Sequence, residues 1–336
     1  MTYPPLAEVL ADHGLTGAAE VPLETDGWSG ARMTALERSD GARFVLKRDS
    51  LALDWIARET GDVSALREAA LAHVRPDLPA PVRLPHLGVG WDGDLVALLM
   101  PDLTGTLLRW EAPVTEAQMD RTLVALAALH GAPWHAALPA TFPWTDLRRR
   151  LLLLTRRSAA RYEAAGNHVG ERFRHGWDAF DRHAPARARE LTDDLTADPE
   201  PLFAALAELP VAGLHGDLKL GNAGLAADGA VWLIDWQMTL VAPIAVELGW
   251  FLVTNVAGLP VTPDAALERY RIVAALPDDD AWASQRDLAL VIGLLLRGWR
   301  KGLDADARLV TACGWTAAED LDWWGREAAE AASRRL

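Results

Sequence analysis

The chain has 336 residues, 50% hydrophobic and 24% charged, a globular balance with enough length for one large domain or two lobes. Its formal net charge of −14 repels nucleic acid and anionic membrane at long range, leaving small or cationic partners. A lone cysteine, Cys313, excludes an internal disulfide and a cysteine metal cluster.

The N-terminus lacks a signal-peptide pattern and no apolar run approaches the ~18 residues of a membrane helix, so a cytoplasmic location is expected. Pro4 to His13 predicts a short helix stopped by Gly14. Ala19–Glu24 and Arg32–Arg38 predict strands flanking Gly27-Trp28-Ser29-Gly30, and Ser39-Asp40-Gly41 is a hairpin turn leading into a third strand at Phe44–Lys47. A helix carrying Leu66, Ala69, Ala70 and His73 on one face ends at Pro76 and Pro79. Strands Leu87–Trp91 and Leu95–Met100 then close over Asp92-Gly93.

After Pro101 the pattern turns helical. Thr115 and Gln118 form a capping box ahead of Met119, Leu123, Leu126 and Leu129 at helical spacing. Asp146–Ala165 and Ala179–Leu195 each predict one helix, and two short strands flank Asp228-Gly229 before helices resume. The expected fold is therefore α+β and bilobal: residues 1–100 as an antiparallel-sheet lobe with one main helix, residues 101–336 as a mostly helical lobe, and a hinge at 98–102.

The chemistry concentrates in His215-Gly216-Asp217-Leu218-Lys219-Leu220-Gly221-Asn222, followed by Asp235 at the end of an apolar strand. Phosphoryl transfer needs a carboxylate to orient the attacking hydroxyl, and an amide and a second carboxylate to hold metal on the phosphates. Asp217 is the candidate base, and Asn222 and Asp235 are the candidate Mg²⁺ ligands. Lys219 is placed to reach the transferring group. Lys47 is the only lysine before residue 219 and ends a strand. A Walker-type phosphate loop is absent.

A small sheet with one helix, then a helical lobe with His-x-Asp-x-x-x-x-Asn and a later Asp, resembles the protein-kinase-like fold. Gly216, Gly221, Ile234-Asp235-Trp236 and Leu126-Ala127-Ala128-Leu129-His130 resemble the aminoglycoside phosphotransferase and choline kinase superfamily in particular. The resemblance implies a kinase of a small hydroxylated molecule using ATP or GTP with Mg²⁺. It implies that Lys47 contacts the phosphates and pairs with Glu68, with Glu59 as the fallback. Gly27, Ser29, Gly30 and the hinge residue Met100 are expected to help seat the nucleotide. His215, grouped with the catalytic residues, is expected to brace the loop. A non-catalytic binding relative would carry a broken set of these residues.

Two departures from that superfamily stand out: Ala242-Pro243 and Glu247-Leu248 follow Asp235 in place of Gly-Asp-Pro and Asp-Leu, so Glu247 is the expected pin of the catalytic loop. The interval is too short for a regulated activation loop, which argues against a protein substrate. The acidic net charge suggests an aminated acceptor. The arginines between Asp146 and Arg174 predict a solvated or internally paired face. Trp282, Trp299, Trp315, Trp323 and Trp324 predict core packing, with one or two available to an acceptor pocket. His86 and the other scattered histidines read as surface or packing residues.

Overall fold

The computed structural model describes residues 2–23, 29–62, 67–109 and 112–336. The chain opens with helix α1 (Leu6–Asp12), strands β1 (Glu20–Pro22), β2 (Arg32–Glu37) and β3 (Arg43–Asp49), then helices α2 (Trp55–Thr60) and α3 (Arg67–Val74). Strands β4 (Val82–Arg83), β5 (Gly88–Asp92) and β6 (Leu95–Pro101) complete the first hundred residues. Five of these strands form one antiparallel sheet in the order β1-β2-β3-β6-β5.

Side chains alternate across a strand, and β6 uses both faces. Ala97 and Leu99 pack with Leu46, Leu36, Leu6 and Val9 beneath α1, while Val96 and Leu98 pack with Ala69 and Ala72 of α3. The sheet is thus held between two helices. Gly88 and Gly90 let α1 approach: a Cβ on Gly88 would meet Val9 at 2.6 Å. The segment Asp54–Asp62 carries the short helix α2. Asp54 caps its first amides and Gly61, in the left-handed region, ends it.

The remainder comprises α4 (Glu116–Gly131), α5 (Leu147–Leu152), α6 (Arg156–Ala164), α7 (Gly170–His183), α8 (Ala186–Ala197) and α9 (Glu200–Ala207), then β7 (Val211–Leu214), β8 (Ala223–Leu225), β9 (Val231–Leu233) and β10 (Leu240–Pro243). Four helices finish the chain: α10 (Ile244–Asn255), α11 (Pro263–Val273), α12 (Asp280–Asp306) and α13 (Ala317–Arg335). The capping box before α4 is present as expected. The single helix expected over Asp146–Ala165 is two, because Thr155 caps a fresh start at α6. The one expected over Ala179–Leu195 breaks at Pro185, whose ring holds Ala184 extended.

The helical core centres on α12, which packs against α7, α10 and α13, with Trp282, Trp299 and Trp324 buried. Trp315 and Trp323 are only partly covered and lie 5.9 Å apart. Glycine permits the close approach of these helices: a Cβ on Gly249 would meet the Ala289 carbonyl at 2.4 Å, and one on Gly302 the Phe180 amide at 2.3 Å. Among the described residues no helix is long and apolar enough to cross a membrane. The lobe boundary is crossed by β4, which pairs in parallel with β9 through Val82–Val231 and Arg83–Trp232.

Gly302→Ala should lower the melting temperature through an overpacking cost of about 1–3 kcal/mol. Gly131→Ala, where an added Cβ meets nothing within 4 Å, should be neutral or stabilising by up to about 1 kcal/mol. Thermal unfolding of the two variants side by side checks the close helix contact.

Candidate active site

β3 is buried between β2 and β6, and Lys47 near its end is 6% exposed. Its ammonium lies 2.7 Å from Glu68 Oε2 on α3 and 2.8 Å from Asp235 Oδ1, 188 residues further along the chain. Glu59 instead pairs with Arg161 at 2.6 Å. Burial alone would discharge Lys47, but the carboxylates of Asp235, Glu68 and Asp49 outweigh it and hold the ammonium well above its ordinary pKa. Burial likewise pushes Glu68 up, and Lys47 together with a hydrogen bond from His86 brings it below the ordinary range. His86 Nε2 lies 3.0 Å from Glu68 Oε1. It is therefore part of this network and not mere packing, a role that no spacing in the sequence signals.

The His215–Asn222 segment leaves β7 and is tied down from all sides. Glu247 accepts from the His215 amide at 2.9 Å and the Gly216 amide at 2.7 Å, and faces His130 Nε2 at 3.1 Å. His130 in turn faces the Tyr270 hydroxyl at 2.8 Å. Burial pushes Glu247 up, but His130, His215 and the Gly216 amide leave it below its ordinary pKa. The expected pin is in place, and a longer side chain than Asp makes both amide bonds. Gly216 sits at φ 84, where a Cβ would lie 2.0 Å from the Met238 carbonyl oxygen. Only glycine fits there.

Both ring nitrogens of His215 are engaged. Nδ1 accepts from the Asp217 amide at 3.2 Å, which leaves Nε2 to donate to the Ile234 carbonyl at 2.9 Å. His215 thus links the two halves of the motif and has no free nitrogen for proton transfer. Arg150 is fully buried and donates twice to the Gly216 carbonyl, at 3.0 and 2.9 Å. Its neighbours behave as expected of a paired face: Arg148 meets Glu200 and Arg156 meets Asp181 and Asp193. Asn255 Oδ1 holds the Leu220 amide at 2.8 Å. Neither the Arg150 nor the Asn255 brace shows in the sequence, since a run of arginines hides the inward one.

Asn222 donates its Nδ2 to the Asp217 carbonyl at 2.9 Å, so its Oδ1 is left as an acceptor. Asp235 stands in the left-handed region at φ 67, with its side chain 26% exposed and Oδ1 on Lys47. Two hard oxygens, Asn222 Oδ1 and Asp235 Oδ2, are the donor set that suits magnesium shared with phosphates and water. Among the described residues no group of three or more His, Cys, Asp or Glu could hold a metal by itself. Asp217 is 4% exposed, with Lys219 Nζ 3.6 Å from its Oδ2.

Ser29 bends the chain after β1, its carbonyl accepting from the Trp55 amide at 3.2 Å. Gly30 at φ 100 passes so close to α2's approach that a Cβ would meet the Leu53 carbonyl at 2.4 Å. Gly27 and Trp28 lie outside the described residues. Met100 pairs with Val45 on β3.

The sequence matches the profile of the phosphotransferase enzyme family over residues 25–286, and the chain belongs to that family. It is a phosphotransferase that acts on a hydroxyl group. Among solved structures, choline kinase from Cryptosporidium parvum superposes with a TM-score of 0.56 at 11% identity, covering 98% of this chain and 93% of that one. That likeness is one of fold. A choline/ethanolamine kinase family protein from Mesorhizobium loti gives 0.49 at 17% identity, covering 98% of this chain and 91% of the other. An aminoglycoside phosphotransferase from Alicyclobacillus acidocaldarius gives 0.47 at 16%, covering 96% and 91%. No curated protein sequence matches the chain.

Near Lys47, Asp49 and Asp54 are buried together and line a small cavity of about 10 Å³ with Glu68 and Gln237. Burial, then the charge of Asp54, pushes Asp49 up to about 8. The folded chain therefore keeps a proton that the unfolded chain releases at the ordinary carboxylate pKa. Stability falls as pH rises from that range toward about 8. Asp49→Asn should raise the melting temperature most at pH 8 and above, with the gain fading toward pH 5. An equal gain at both pH values would remove the shared-proton account.

Proposed function

We propose that this phosphotransferase moves the γ-phosphoryl group of ATP or GTP, with Mg²⁺, onto a hydroxyl of a small molecule. The observation that carries the reading is the meeting of Lys47, Glu68 and Asp235 beside Asp217 and Asn222. One buried ammonium is shared by two carboxylates, which leaves a surplus negative charge, and Asp235 is the more exposed partner. A cation bound at Asp235 and Asn222 balances that surplus and, when present, neutralises the phosphate oxygens.

In this reading Lys47 contacts the nucleotide phosphates, oriented by Glu68. Asp217 takes the proton of the acceptor hydroxyl as its oxygen bonds to the γ-phosphorus and the bond to the β-phosphate oxygen breaks, releasing the nucleoside diphosphate. Lys219, with its side chain 40% exposed, is free to swing from Asp217 to the transferring group. His215 serves as a positioning residue. Residues 1–100 form the nucleotide lobe and 101–336 the acceptor lobe, joined at 98–102, with Ser29, Gly30 and Met100 on the nucleotide side.

Two measurements test these roles. Mg²⁺-dependent thermal stabilisation by ATP or GTP should be lost in Asp235→Ala and kept in Asp217→Ala. Asp217→Asn should lower kcat by about 10²–10⁴-fold, and near wild-type turnover in that variant would sink the base assignment.

A further inference from the structure

On the helical side of Asp217 the structure gathers cations. Trp250 of α10 is 5% exposed and has a guanidinium near it from each of two elements: Arg150 of α5 at 4.4 Å from the ring centroid and Arg297 of α12 at 5.3 Å. Arg297 also lies 5.2 Å from the Trp299 ring. Neither arginine makes an ion pair among the described residues; Arg150 directs two donors to the Gly216 carbonyl. The strongest charges felt by Arg297 are Arg300, Asp304, Asp217 and Arg172, all from the helical lobe. Arg300 already pairs with Asp304 at 2.7 Å.

The polar atoms of this corner are left over. Arg150 Nη1, Trp250 Nε1, Arg297 Nε and Thr254 Oγ1 are each buried with no hydrogen-bond partner among the described residues. Thr254 lies one helical turn beyond Trp250 on the same face of α10, and the next residue, Asn255, holds the catalytic loop at Leu220. Three of the four atoms are obligate donors. A buried donor without an acceptor is costly, and guanidinium groups are the donors best shaped for carboxylate or phosphate. An ammonium-bearing acceptor brings more donors and more positive charge to a place already rich in both.

Building on the phosphotransferase reading, we propose that the acceptor carries an anionic group, a carboxylate or a phosphate monoester, near the hydroxyl that is phosphorylated, and that Arg297 receives it beside Trp250 and Thr254. The net charge of −14 points toward an aminated acceptor. That charge is spread over the whole surface, whereas the groups next to Asp217 on this side are mainly cationic. Burial draws both Arg150 and Arg297 down to about 10, so both remain charged at neutral pH.

The test uses the full chain with Mg²⁺ and matched acceptors: glycerate, gluconate and glucose 6-phosphate against glycerol and glucose, with ethanolamine and kanamycin as the amines. Binding is read by titration calorimetry with a non-hydrolysable ATP analogue, and transfer by nucleoside diphosphate release. An anionic acceptor should be used with kcat/KM at least about tenfold above its neutral counterpart, and Arg297→Gln should raise its KM about tenfold or more with a smaller change in kcat. Arg297→Lys should recover part of that loss, and added salt should raise the KM of anionic acceptors in the wild type. Preference for neutral or amine acceptors, failure to bind any anionic one, or an unchanged KM in Arg297→Gln overturns the proposal. Binding of an anionic acceptor without transfer supports the anion site and overturns the phosphotransfer roles. Transfer to amines alone does the reverse.

Discussion

One ammonium holds this site together. Lys47 sits in a sheet that buries it, and a buried lysine keeps its charge only when carboxylates surround it closely. Glu68 comes from the helix above the sheet and Asp235 from the far lobe, so the same ion pair that keeps Lys47 charged also sets the distance between the two halves of the site. The elements around it follow. His86 and the Trp236 amide at 3.3 Å take the second oxygen of Glu68, and the nearby Asp49–Asp54 pair limits its own negative charge by holding a proton.

The His215–Asn222 loop obeys a complementary rule. Leu218 and Leu220 anchor it in the helical core, and donors and acceptors aimed at its backbone fix its shape: Glu247 on two amides, Arg150 on a carbonyl, Asn255 on another amide, and His215 across to Ile234. The braces come from α5, from both ends of α10 and from the loop itself, so the loop's shape depends on those two helices being docked beside it.

Much of this architecture is legible in the amino-acid sequence. The hairpin turns, the capping box ahead of α4 and the order of sheet and helices follow from short-range rules, and the motif spacing singles out Asp217, Asn222 and Asp235 as candidates. The choice of Glu68 over Glu59 needs only the direction of α3. What stays hidden depends on inward orientation. Arg150 and Arg67 look like surface charges in the sequence, yet both are buried and serve carbonyls distant in the chain, Arg150 that of Gly216 and Arg67 that of Gln237 at 2.6 Å. His86 has no periodic partner, and the breaks at Thr155 and Pro185 fall inside otherwise continuous helical patterns.

The two-residue strand β4 also governs how the chain can be made. Because Val82 and Arg83 complete a sheet with strands beyond residue 220, the amino-terminal hundred residues are not a module that can mature alone. During synthesis they emerge with a lysine and a glutamate facing a carboxylate that has yet to be made, and with a strand waiting for its parallel partner. Non-local pairings of this kind are closed late, after loop entropy has been overcome. A nascent chain halted before Asp235 is therefore a half-built electrostatic arch, its buried lysine still short of a carboxylate.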